Sequence, residues 1–140
     1  MDFTSSARFQ IPRPSVLLFN FREDARTASI RSYLESGCVA VIRVEPKDFG
    51  TPIGALLSSH VVADKNASFS ASFSEEMLVM SGFTQERLQA FLDFFREVKI
   101  ARVGLKAMLT PTNAAWNAFE LRRHLKAEQK RFESGKKPGR

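Results

Sequence analysis

The chain is poor in the residues from which reactive centres are most often assembled. Of its 140 residues one is cysteine, two are histidine, one is tryptophan and one is tyrosine. The single cysteine, Cys38, excludes an intrachain disulfide and fits a reducing compartment. One cysteine and the two separated histidines, His60 and His124, cannot build a structural zinc site, so no metal and no other cofactor is expected. The seven glycines form neither a dinucleotide fingerprint nor a P-loop. There is no Gly-x-Ser-x-Gly elbow. Ser81 stands at a strand end but has no base beside it, and reads as a turn residue rather than a nucleophile. No apolar run approaches the ~18 residues of a membrane span. Met1 to Pro14 lack the apolar core of a signal peptide. The expectation is a cytoplasmic protein with no membrane partner.

Abundant instead are apolar residues, at 44 %, and thirteen phenylalanines. That composition belongs to a packed globular chain, and the length suits one domain. The net charge of +6 is local rather than general. Residues 121–140 hold eight Lys or Arg against Glu128 and Glu133, and the preceding 120 residues balance.

Hydrophobic patterning predicts four strands alternating with helices. Ser15–Asn20 is a short apolar run, followed by a helix over Phe21–Ser36 with Glu23 and Asp24 in its first turn, Ile30, Tyr33 and Leu34 on one face, and Gly37 as its C′ stop. Cys38–Val44 reads as the second strand, with Cys38 a buried small residue. Thr51-Pro52 opens a short helix through Ile53, Leu56 and Leu57. Residues 62–75 read as a connector, although Ser68–Ser74 alternates as an edge strand would. Met77–Met80 is the third strand. Thr84 caps a helix carrying Leu88, Phe91, Leu92, Phe95 and Val98. Leu105–Leu109 is the fourth strand, and a final helix starts near Thr112 or Asn113.

This order predicts a single-domain three-layer αβα sandwich with a four-stranded, mostly parallel sheet. The expected strand order is 2-1-3-4, as in flavodoxin-like and Rossmann-like folds. The expected division is a flexible arm at 1–14, the α/β domain at 15–127 and a disordered basic tail at 128–140. No internal repeat shows in the sequence. Receiver-type phosphotransfer is excluded, because the third strand ends in Ser81-Gly82 where an aspartate would be needed.

In such a sheet, ligands gather at the carboxyl ends of the strands, where helix N-termini favour anions. The candidate ligand-binding residues there are Asn20, Arg22, Ser81, Gly82, Thr110, Thr112, Asn113 and Trp116. The competing role for Thr112 and Asn113 is helix capping, and for Trp116 core packing.

Met77-Leu-Val-Met-Ser-Gly-Phe83, the amphipathic helix after it, and Leu105–Asn113 with Trp116 resemble the bacterial family called domain of unknown function 3783. Leu17–Phe21 and Val44-Glu-Pro46 extend the similarity over roughly 15–125. The resemblance implies a small α/β domain and carries no catalytic residue with it. The first functional expectation is a non-enzymatic binding or regulatory module for a small anionic ligand or a protein partner, with homodimerisation open. The alternative is an auxiliary nucleic-acid binder acting through Arg122, Arg123, Lys126, Lys130, Arg131, Lys136 and Lys137. An enzyme working by positioning is the third.

Overall fold

The computed structural model describes residues 13–57 and 73–136, with side chains of the last helix described to Arg131. Most of the expected arm, most of the connector, His60 and residues 137–140 lie outside the described residues. Four strands form one sheet: β1 (Ser15–Phe19), β2 (Ala40–Val44), β3 (Met77–Ser81) and β4 (Leu105–Met108), in the order β2-β1-β3-β4. The helices are α1 (Ala25–Ser36), α2 (Ile53–Leu56), α3 (Gln85–Glu97) and α4 (Ala118–Lys136).

The strand order and the three layers are those the sequence predicts. β1 pairs parallel with β2, and β3 parallel with β4, but the central pair β1–β3 is antiparallel, with Leu17 opposite Val79. The sheet is thus mostly parallel without the single direction of a flavodoxin-like winding. The crossover rule acts only where a helix carries the chain back along the sheet. It holds for β1–α1–β2 and β3–α3–β4. Between β2 and β3 the only described α-helix is α2, whose four residues rise about 6 Å, against about 17 Å for a five-residue strand. The end of β2, at Val44, and the start of β3, at Met77, lie at one edge of the sheet, because both residues are in register with Phe19.

Alternation along the strands separates two cores. Val16, Leu18, Leu78 and Met80 meet Ile30 and Leu34 of α1 and Phe91 and Phe95 of α3. Leu17, Phe19, Met77 and Val79 face Phe49, Ile53, Ala118 and Leu121 on the other side.

The antiparallel centre reveals what the sequence conceals: two units with the same order of elements meet at the β1–β3 pair. Each unit runs strand, helix, parallel strand, 3-10 turn, helix. Each first strand exits through a left-handed residue, Asn20 (φ 67°) or Gly82 (φ 75°), followed by a buried phenylalanine, Phe21 or Phe83. Each helix is N-capped by a side chain accepting from a backbone N–H: Asp24 from Thr27 (2.8 Å) and Thr84 from Arg87 (3.0 Å). Each ends in a Schellman turn, with Val39 N–H on Leu34 O (3.0 Å) and Ile100 N–H on Phe95 O (3.1 Å). The left-handed C′ positions are Cys38 (φ 65°) and Lys99 (φ 58°). Gly37 therefore sits one place earlier than expected, and Cys38 is exposed in the turn rather than buried in β2.

A reciprocal pair of backbone bonds locks the units together. Ile53 N–H donates to Trp116 O (2.8 Å), and Ala118 N–H donates to Phe49 O (3.0 Å). Gly54 sits at this junction, where an added Cβ would lie 3.1 Å from the Ala114 Cβ and 3.3 Å from its carbonyl oxygen. A side chain at this position would crowd Ala114, so that the two turns would have to shift by a few tenths of an ångström to admit it.

Candidate anion-binding surface

The antiparallel centre divides the predicted site. Asn20 and Arg22 follow β1 at one sheet edge; Ser81, Gly82, Thr110, Thr112, Asn113 and Trp116 follow β3 and β4 at the opposite edge. Most of these polar groups are engaged by the protein's own backbone. The Asn20 amide donates to Phe73 O (2.8 Å) and Glu75 O (3.0 Å), holding the segment that enters β3. Asn113, 9 % exposed, closes the turn after β4. Its Oδ1 accepts from Thr110 N–H (2.8 Å), its Nδ2 donates to Met108 O (3.0 Å), and its own N–H donates to Thr110 Oγ1 (3.1 Å). Asn113 begins a 3-10 turn rather than the last helix, and Thr112 makes no capping bond. The helix signal belongs to Asn117, whose Oδ1 accepts from Glu120 N–H while Glu120 Oε1 accepts from Asn117 N–H (3.0 and 2.9 Å). That reciprocal pair is a capping box.

Ser81 is buried opposite Ser15, and Gly82 supplies the left-handed exit of β3. Thr112 is exposed. Trp116 packs against the second core and stacks on His124, with centroids 3.9 Å apart and ring planes 9° from parallel. Arg22 lines a shallow cleft with Arg43, Glu45 and Pro46, where Arg43 pairs with Glu23.

The basic helix divides in the same way. Arg122 grips Glu75 with two bonds (Nε–Oε1 2.8 Å, Nη2–Oε2 2.9 Å), and Lys126 Nζ adds a third at 3.1 Å. The hydrogen bonds from Arg122 and then Lys126 hold the Glu75 carboxyl down at about 2, against partial burial that opposes them. Arg26 does similar work beside it, bonding both Glu76 oxygens (3.0 and 2.8 Å) and Ala101 O (3.0 Å). Arg122 and Lys126 are thus clamps on the entry to β3. Arg123, Lys130 and Arg131 stay exposed on α4. None of the three has an ion-pair partner among the described residues. α4 continues to Lys136, past the expected domain boundary at 127; the side chain of Lys136, and Lys137 altogether, lie outside the described residues.

A second basic feature was not singled out by motif reading. A cleft of about 530 Å³ lies between the C-terminal half of α3 and edge strand β4, lined by Arg96, Lys99, Arg102 and Lys106. Asp93 is its lining carboxylate, already engaged by Arg96 (2.7 Å) and Gln89 (2.9 Å). Lys99 and Arg102 have no partner among the described residues. Lys106 is in register with Leu78, on the α3 side of the sheet, and donates to Val103 O (2.7 Å). Burial, and then the charge of Arg102, lower the pKa of its ammonium. On the other side of β4, Gln129 of α4 donates to Gly104 O (2.9 Å), placing the basic turn of α4 beside the same connector. The available signal was the absence of any acidic residue between Glu97 and Glu120.

Among the described residues no group of three His, Cys, Asp or Glu side chains could hold a metal, and no helix is long and apolar enough to cross a membrane. Residues 76–132 match the family model described as "Domain of unknown function (DUF3783)". The match runs from the entry of β3 into α4, essentially the second of the two units. No curated protein and no solved structure matches the chain.

Proposed function

From the geometry of the unit that matches the DUF3783 family model, residues 76–132, we propose a non-enzymatic module that binds nucleic acid as a polyanion. The surface wraps the β4 edge, with Lys99, Arg102 and Lys106 on one side and Lys130 and Arg131 on α4 across the Gln129–Gly104 bond. The observation that carries this reading is the concentration there of cations with no ion-pair partner among the described residues, while Arg26, Arg43, Arg122 and Lys126 are neutralised in ion pairs. Phosphate backbones bind such surfaces by releasing counterions, without a preformed pocket. A small-anion crevice at the strand ends has less support, because its residues are divided between two edges and Asn20, Thr110 and Asn113 are held by backbone.

Fluorescence anisotropy with a labelled duplex oligonucleotide tests the reading. Affinity should fall steeply with salt, and Lys99→Glu combined with Arg102→Glu should weaken it about tenfold or more at low salt. Arg102→Gln alone should reduce the salt slope by about one. Binding unchanged in the double variant, or no binding at low salt, would overturn it.

A further inference from the structure

We propose that the Lys106 amine is a capture site for small anionic carbonyl compounds, forming an imine while neighbouring cations hold the anionic group. The inference uses the same cleft but does not rest on nucleic-acid binding.

The cleft combines two features that rarely coincide in solvent-exposed lysines. Lys106 is half-buried and tethered to the Val103 carbonyl, so its amine is confined at the cleft wall rather than sweeping through water. Arg96, Lys99 and Arg102 line the same space, and the only lining carboxylate among the described residues, Asp93, is occupied by Arg96 and Gln89. A phosphate or carboxylate entering there meets Lys99 and Arg102 without having to displace a protein carboxylate. Burial and the adjacent Arg102 both disfavour the charged form of Lys106, which enlarges the share of free amine near neutrality.

The chemistry needs no co-reactant. The Lys106 nitrogen attacks the carbonyl carbon, and the nitrogen proton passes to the former carbonyl oxygen. The resulting carbinolamine loses water as the C=N bond forms. Holding the anionic end of the molecule raises the local concentration of the carbonyl at the amine.

The test exposes the full-length protein to substoichiometric pyridoxal phosphate, reduces the imine with borohydride, and measures label at each lysine by peptide mass spectrometry. Lys106 should be labelled several-fold faster than Lys47 and Lys130, inorganic phosphate should slow it selectively, and pyridoxal without phosphate should lose the preference. Arg102→Gln should slow labelling of Lys106 while leaving Lys47 unchanged, and Lys106→Arg should remove the leading site. Labels distributed by exposure alone, or a Lys106 preference that survives removal of the phosphate, would overturn the proposal. Because the mapping is done on the unaltered protein, a variant that fails to fold cannot decide it. Oligonucleotide binding, read separately, stands or falls on its own.

Discussion

The two units of the molecule share a backbone and differ in charge and closure. Both have the left-handed strand exit, the side-chain N-cap, the Schellman turn and the 3-10 turn before the closing helix. The first closes with four residues of α2, the second with nineteen of α4. In the first, Arg26, Arg31 and Arg43 all face carboxylates. In the second, Lys99 and Arg102 face none among the described residues. The shared features are those that any chain needs to make the turns. The unshared ones are the pairing of the cations and the length of the closing helix, and the family match covers the second unit.

The largest expected effect comes from breaking the lock asymmetrically. Phe49 and Trp116 occupy matching positions, each giving its carbonyl to the first residue of the other unit's closing helix. Their side chains are not matched. Phe49 is fully buried and meets the rings of Phe19, Phe73 and Phe119, whereas Trp116 is half-buried against His124. Phe49→Ala should cost about 3–5 kcal/mol in urea denaturation, and Trp116→Ala distinctly less. Equal losses would mean that the two turns are packed alike and that the asymmetry is misread.

How far this was legible depends on the range of each signal. Strands such as Met77–Ser81 and the face of Phe91 and Phe95 are local patterns, and both formed where the sequence put them. Thr84 is a cap as expected, and Asp24, expected inside the first turn, is instead the N-cap of a helix that starts at Ala25; a short polar side chain next to a helix start finds the second or third N–H without help from the fold. The direction of β3 against β1 is not local. It depends on the path between Val44 and Met77, where no helix long enough to recross the sheet is encoded in the described residues. The candidate site residues were divided with it, since a single crevice at the strand carboxyl ends presumes strands that all point one way. The likeness of the two units leaves no sequence repeat because it resides in turns and caps, which Asp24 and Thr84, or Asn20 and Gly82, perform with different residues. The β4 cleft went unnoticed because its cations arrive from a helix end, a connector and a strand, and only the fold collects them.

A smaller effect separates scaffold from surface. Cys38 and Lys99 hold the same left-handed C′ position, which disfavours residues with a Cβ by roughly 1 kcal/mol. Cys38→Gly and Lys99→Gly should each raise stability by up to about that amount, less the entropy glycine adds to the unfolded chain. Only Lys99→Gly should also weaken oligonucleotide binding. Loss of binding in both variants would show that the turns, rather than the charge, carry the interaction.

The smallest effect concerns the ion pairs beside β3. Glu75 titrates at about 2 in the folded protein against an ordinary 4.5. A depressed carboxyl contributes stability that is complete above the ordinary value and is lost as pH falls from there through the folded value. Because Arg122, Lys126 and Glu75 remain partly open to water, screening keeps that contribution modest. Between pH 5 and 2 the urea midpoint of the native protein should fall more than that of Glu75→Gln, which has already lost the titrating group. Above pH 5 the two curves should run parallel, with the variant lower. Arg26 and Glu76 offer the internal control. They join α1 to the entry of β3 across the two units, so if acid acts mainly through Glu75, Glu76→Gln should leave most of the acid-dependent loss in place. A loss halved by either variant would show instead that the two clamps act together, and that the second unit is held to the first as firmly as it is held to its own helix.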